Sequence, residues 1–286
     1  MKKSLLSALC FLLASSLAYS QQVSFKLLGG PTWIQGDDYN KGVAGEMEFI
    51  RDTMSDVSGA FQKLKKGTNF QFEIITHWGR RIATGLGGGY YQLGHHDRVA
   101  SQGIAEDVPF TTDSTFQPQL SVIPFYLNIY YKIRLTSRAG LDVFAGPLFQ
   151  IVQFSFERQT TSTVNSFSEK ETFRAAAPSL GFQAGISLSY KLISGIALIT
   201  DILYRSATAT NLTGNWSLFS TSATGTVNNS SAEYYYYYYD YSQGKNYPRV
   251  GFFDKNGPAG DGISGIRKAH IDLSGLTAMI GVKIDI

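Results

Sequence analysis

Apolar and polar residues alternate with a period of two over several long stretches of the chain. Between Leu180 and Lys191, one face holds Leu180, Phe182, Ala184, Ile186, Leu188 and Tyr190. The other holds Gly181, Gln183, Gly185, Ser187, Ser189 and Lys191. Successive side chains of a strand point to opposite faces, so the pattern predicts a β-strand with one apolar face. Ile123, Phe125, Leu127, Ile129 and Tyr131 repeat it against Pro124, Tyr126, Asn128 and Tyr130. Leu276, Ala278, Ile280, Val282, Ile284 and Ile286 repeat it again. Eight strands are predicted, over 23–34, 69–78, 82–93, 119–132, 140–155, 174–191, 195–208 and 270–286.

A soluble sandwich also alternates, with its apolar residues turned to a core. Three features favour a membrane barrel. The strands approach the ~9–11 residues that a tilted transmembrane strand needs. The second face mixes Gly, Ser, Gln and Tyr with isolated charges, as a crowded lumen requires. The connections alternate strictly: 79–81, 133–139 and 192–194 are short, whereas 35–68, 94–118, 156–173 and 209–269 are long. Short turns at one end and long loops at the other are the outer-membrane pattern, the long loops lying outside. The expected fold is all-β, a closed antiparallel eight-stranded transmembrane β-barrel with long extracellular loops.

One stretch breaks the period. Met47, Ile50, Met54, Val57, Phe61 and Leu64 recur at alternating spacings of three and four, with charges between them. This predicts an amphipathic helix over 45–65 in the first long loop. Its apolar face is expected to shield the barrel, lie on the outer leaflet or act as a lid.

The N-terminus changes the picture of where the chain goes. Met1-Lys2-Lys3 precedes an apolar run from Leu5 to Leu17 and the small-x-small site Ala18-Tyr19-Ser20. This reads as a signal peptide over 1–20, with the barrel domain over 21–286. The sole cysteine, Cys10, lies inside it, so the mature chain is expected to carry no disulfide or thiol chemistry. Without Lys2 and Lys3 the chain has 23 basic and 22 acidic residues, which gives nucleic acid no electrostatic footprint.

Together these features resemble the small eight-stranded outer-membrane barrels of the OmpA/OmpX-like type. The resemblance lies in the architecture of 23–286 and in the terminal Gly281-Val-Lys-Ile284-Asp-Ile286, similar to a barrel assembly signal. The family usually ends in Phe where this chain has Ile286. The resemblance implies outer-membrane lipid and the insertion machinery as partners. Its members include anchors, adhesins, small-solute pores and a few lipid-modifying enzymes, so it does not fix a function. The enzymes use a Ser and a His facing lipid at the outer rim. His77 is expected inside, near the opposite end.

Candidate chemistry is sparse. Lys26, Glu73, Asp142, Asp201 and Arg205 fall on the lumen face and are expected to form a charge network, either a filler or an ion path. Tyr234, Tyr235, Tyr236, Tyr237, Tyr238 and Tyr239 run consecutively through the last long loop. They form either a binding platform for an extracellular ligand or surface, or a tolerated expansion. Trp78, Tyr90, Tyr91, Tyr130, Tyr131, Tyr190 and Tyr204 are candidates for interfacial girdles, although strands favour Tyr in any case. His95 and His96 are adjacent on a strand end and point to opposite sides, so they do not suggest a chelate. Gly85, Gly87, Gly88 and Gly89 lack the helix and Lys-Ser/Thr of a phosphate loop and suit tight lumen packing instead. No catalytic residues, metal or cofactor are expected. The expected role is non-enzymatic, in adhesion, recognition or envelope structure through the loops. The alternative is a narrow path for small or apolar solutes gated by the 45–65 helix.

Overall fold

The computed structural model describes residues 22–105, 108–163, 167–221, 225–241 and 244–286. The expected signal peptide lies outside them. The described chain is all-β with one short helix, and every strand pairing is antiparallel.

Eight long strands carry the architecture. They are β1 (Val23–Trp33), β3 (Lys66–His77), β4 (Ile82–Gly94), β6 (Val108–Arg134), β7 (Ala139–Ser162), β8 (Phe167–Ile193), β9 (Ile196–Ala209) and β15 (Gly275–Asp285). Each pairs with two others of the eight, in the order β1, β3, β4, β6, β7, β8, β9, β15 and back to β1. In this circuit β1 lies opposite β7. The Lys26 ammonium of β1 nevertheless sits 5.6 Å from the centre of the Phe144 ring of β7. Side chains from opposite strands therefore meet on the inward face.

The outward face is apolar, unlike that of a soluble domain, and the buried face mixes polar residues with apolar ones such as Leu28, Ile75 and Leu203. The buried positions include Lys26, Asn69, Gln71, Glu73, Asn128, Gln150, Gln183 and Asp201, while Phe125 (48 %), Ile129 (62 %) and Leu180 (78 %) face outward. All eight strands contribute exposed large apolar residues to this outer belt. Only one tyrosine of each adjacent pair is exposed where a girdle would need it. Tyr90 and Tyr131 point out with Tyr190 and Tyr204, whereas Tyr91 and Tyr130 are buried inside. Neighbouring side chains of a strand cannot share a face.

The turns linking β3 to β4, β6 to β7 and β8 to β9 are short, as expected. Among the described residues the long connections are mostly strand and helix rather than loop. At that end β6, β7 and β8 run past the belt and join a head built from α1 (Asp37–Thr53), β2 (Ser55–Gly59), β5 (Asp97–Ala105), β10 (Thr213–Ser220), β11 (Gly225–Asp240), β12 (Asn246–Phe253), β13 (Ile263–Lys268) and β14 (Ile271–Asp272). β10 pairs β8 and β11, and β11 also pairs β12 and β13.

The helix starts earlier and stops sooner than the 45–65 expectation. Asp37 and Asp38 lie in its first turn and Arg51 in its last, the charge order that the helix dipole favours. Tyr39, Val43 and Met47, spaced by four, are buried. Gly42 and Gly45 let it lie flat on β12: a Cβ at either would stand 2.6 Å from a Val250 methyl or 2.1 Å from the Pro248 carbonyl. Met54 is extended, and Ser55–Gly59 pairs with β5. Phe61 and Leu64 are buried in the same apolar cluster as α1, but from an irregular segment.

Candidate functional site

The inward face is filled from the turn end to the head. At the turn end the Ser24 Oγ lies 2.6 Å from His77 Nε2 and donates to Asp285 Oδ1 at 2.5 Å. Lys132 contacts the other ring nitrogen of His77. The serine's bond to Asp285 uses its proton, so His77 donates through Nε2–H and accepts from Lys132. This is not a nucleophilic triad. The carboxylate holds the serine rather than the histidine, and Ser24 is 0 % exposed.

One layer up, Lys26 Nζ bonds Asp201 Oδ2 at 2.7 Å and approaches Glu73 Oε2 at 3.9 Å. Tyr130 donates to Glu73 Oε2 at 2.6 Å, and Asn128 Nδ2 donates to Oε1 at 3.1 Å. Gly85 makes this possible, because a Cβ there would stand 2.0 Å from Glu73 Oε1. Three of the five expected network residues thus meet. Asp142 does not, since it lies toward the turn end in register with Lys132. Arg205 does not either. It is 2 % exposed and stacks over the Tyr91 ring at 5.0 Å. On β9 it stands four residues from Asp201, on the order of 13 Å along the strand.

Between these charges lies an amide layer that sequence reasoning did not single out. Tyr126 donates to Gln71, Gln183 Nε2 to Asn128 Oδ1 at 3.0 Å, and Gln150 Nε2 to the Tyr91 hydroxyl at 3.2 Å. The signal was present: Gln71, Asn128, Gln150 and Gln183 all sit opposite the apolar face of their strands.

Above the amides the filling becomes aromatic. Phe252 stacks on Phe173 with centroids 3.5 Å apart, on Phe156 at 4.8 Å and on Tyr234 at 4.9 Å. A cavity of about 60 Å³ remains under α1, walled by Tyr39, Val43, Phe61, Phe154 and Tyr234, with Glu46 and Arg158 at one side. The Tyr39 and Tyr234 hydroxyls are buried without a partner among the described residues.

Three ionic latches hold α1. Asp38 accepts both terminal nitrogens of Arg267 at 2.5 Å and the backbone N–H of His270 at 3.0 Å. Glu46 bridges Arg158 at 2.9 Å and Arg249 at 3.2 Å. Asp52 accepts from Lys245 and from the Tyr247 hydroxyl at 2.7 Å. Burial alone would raise the Glu46 carboxyl, but the two guanidinium groups hold it below the usual range. Asp37, Asp38 and His270 place ligand atoms within 4.8 Å of one another. Arg267 already occupies both oxygens of Asp38, so this cluster works as a clamp.

The tyrosine run is not an open platform. Tyr234, Tyr235 and Tyr236 are buried, Tyr237 and Tyr239 are half-buried, and Tyr238 is 38 % exposed. The strands β12 and β13 flank β11, and α1 covers one of its sides through Phe49, whose ring meets that of Tyr239 at 5.9 Å.

No protein-family profile and no curated protein matches the chain. Among solved structures it is similar to the outer membrane protein OprG from Pseudomonas aeruginosa, at 12 % identity and a TM-score of 0.36, covering 92 % of this chain and 95 % of that one. It is similar to a major outer membrane protein from Thermus thermophilus at 10 % identity, TM-score 0.33, with 93 % and 100 % covered. It is also similar to the outer membrane protease OmpT from Escherichia coli at 9 % identity, TM-score 0.36, with 94 % and 98 % covered. At these identities no residue role is carried across.

Proposed function

We propose that the strand circuit is a closed eight-stranded transmembrane barrel of a bacterial outer membrane. Its filled interior is a non-enzymatic scaffold, and the head outside performs recognition, adhesion or an envelope role. Two features support the membrane reading. The outer belt is apolar on all eight strands, far more exposed apolar surface than a soluble monomer carries. The pairing circuit leaves none of the eight strands with an unpaired edge in lipid.

The observation that carries the functional reading is the succession of buried side-chain layers: Ser24–His77, then Lys26–Asp201, then Tyr126–Gln71, then Arg205–Tyr91, then the Phe252 cluster. An eight-stranded barrel has an interior that side chains just fill. The head, by contrast, packs around an apolar cluster that continues into the barrel strands through Tyr91, Tyr126, Leu148 and Val152. Cells that carry the chain with 209–269 replaced by a short turn test this reading. We expect the barrel to insert and the knockout phenotype to persist; full rescue by the headless chain would rule out a working head.

A second reading is favoured by the aromatic cavity beneath α1. It makes the latched helix a gate for small apolar solutes. Under this reading Glu46→Gln, which loosens the gate, raises uptake of such a solute by vesicles carrying the protein.

A further inference from the structure

Just above the outer belt the flared sheet carries an outward concavity of about 630 Å³ spanning β3, β4, β6, β7 and β8. Its boundary follows the strand register. One cross-strand row reads Phe70, Tyr90, Ile123, Ile151 and Pro178, all apolar or aromatic. Two residues farther along each strand, the row reads Thr68, Gln92, Ser121, Gln153 and Ala176. Two farther again, it runs Lys66, Gly94, Gln119, Ser155 and Arg174. The apolar surface therefore ends on one register line, and the concavity opens next to it.

This last row has a cation at each end. Lys66 and Arg174 stand four strand spacings apart, about 19 Å. Both are exposed, and neither has an ion-pair partner among the described residues. The one carboxylate in the concavity, Glu157, is neutralised by Lys170 at 2.8 Å. Between the two cations the lining includes the amides and hydroxyl of Gln92, Gln117, Gln119 and Thr172, beside the rings of His95 and His96. Hydroxyl-rich headgroups suit amide and hydroxyl linings, and phosphates suit lysine and the forked guanidinium of arginine.

We infer that this concavity binds the headgroup of an outer-leaflet lipid that carries both sugar and phosphate. The inference rests on the transmembrane reading proposed above. The lipid's acyl chains lie along the belt below Phe70, Tyr90 and Ile151. Its sugars face the glutamine row, and its phosphates pair with Lys66 and Arg174.

The test uses the full mature chain, inserted in phosphatidylcholine vesicles doped in turn with three probes: a short-chain lipopolysaccharide, the same lipid dephosphorylated, and phosphatidylglycerol. After detergent extraction and size exclusion, mass spectrometry counts the lipid retained per folded barrel, with heat-modifiable gel mobility as the check on folding. We expect about one lipopolysaccharide per barrel, several-fold less of the dephosphorylated lipid, and little phosphatidylglycerol. The double variant Lys66→Gln/Arg174→Gln is expected to lose retention on the order of tenfold while folding normally. Equal retention by the folded double variant overturns the proposal, as does equal retention of all three probes. Failure of the chain to insert at all would instead overturn the transmembrane reading, so the two are distinguishable.

Discussion

Strand β7 passes through two regions that follow opposite rules. In its first half Val143, Phe149 and Ile151 face outward, and the buried face mixes Phe144, Leu148 and Val152 with Gln150. In its second half Ser155 and Glu157 lie on the outward side, and Phe154 and Phe156 are buried in the aromatic cluster. One continuous strand thus changes its outward face from apolar to polar, and its buried face from mixed to aromatic, without a break in backbone pairing. Lipid explains the first rule and water the second. Where lipid takes the apolar face, the interior must satisfy its own polar groups, and it does so with the Lys26, Glu73 and amide layers. Where water surrounds the strand, an aromatic core forms as in any soluble domain, and charge pairs move to its edge.

This contrast can be broken at several points. The largest effect is expected inside the lower half. Lys26→Met leaves Asp201 and Glu73 buried without their cation, at a cost of about 4 kcal/mol in urea unfolding from vesicles. A loss below about 1 kcal/mol would mean that water, not protein, satisfies those carboxylates. Next comes the outer face. Ile186→Arg, in the belt, is expected to cost about 3 kcal/mol, whereas Gln153→Arg, past the belt's edge, should cost under about 0.5 kcal/mol. Equal costs would erase the boundary between the two regions.

A more local effect belongs to the head. Glu46→Gln weakens two charged hydrogen bonds and is expected to lower local stability of α1 by about 2 kcal/mol, without moving the global transition. Acid acts in the same direction. The folded Glu46 carboxyl titrates below its unfolded value, so its contribution is present above about pH 4.5 and is lost as pH falls through the lowered folded value. Asp37, lowered chiefly by its hydrogen bond from Lys41, follows the same sign. Hydrogen exchange over 37–53, corrected for intrinsic rates, should stay constant from about pH 6 to 8 and quicken below about pH 4. Opening on the alkaline side would contradict the assignment.

How much of this was legible follows from the same contrast. The eight long strands could be read from sequence, because an outward apolar residue recurs at every second position over much of β1, β3, β4, β6, β7, β8, β9 and β15. The head could not be read in this way. Its elements bury residues by local packing, so Met47, Ile50, Met54, Val57, Phe61 and Leu64 imitated one helical stripe while belonging to a helix, a strand and an irregular segment. The Tyr234–Tyr239 run carries no pattern at all, and the strands and helix packed around it decide which rings are buried. In the interior, spacing placed Lys26, Glu73 and Asp201 on one face, but their heights in the circuit decided that Asp142 and Arg205 stand apart.

The claim that the interior is filled is tested most directly by single-channel recording. The folded mature chain in a planar bilayer is compared with a Tyr126→Ala/Tyr91→Ala variant that removes two of the rings blocking the amide layer. A flat current from the intact chain and discrete steps from the emptied variant are the outcome expected. Discrete steps from the intact chain would show a continuous path and contradict the account.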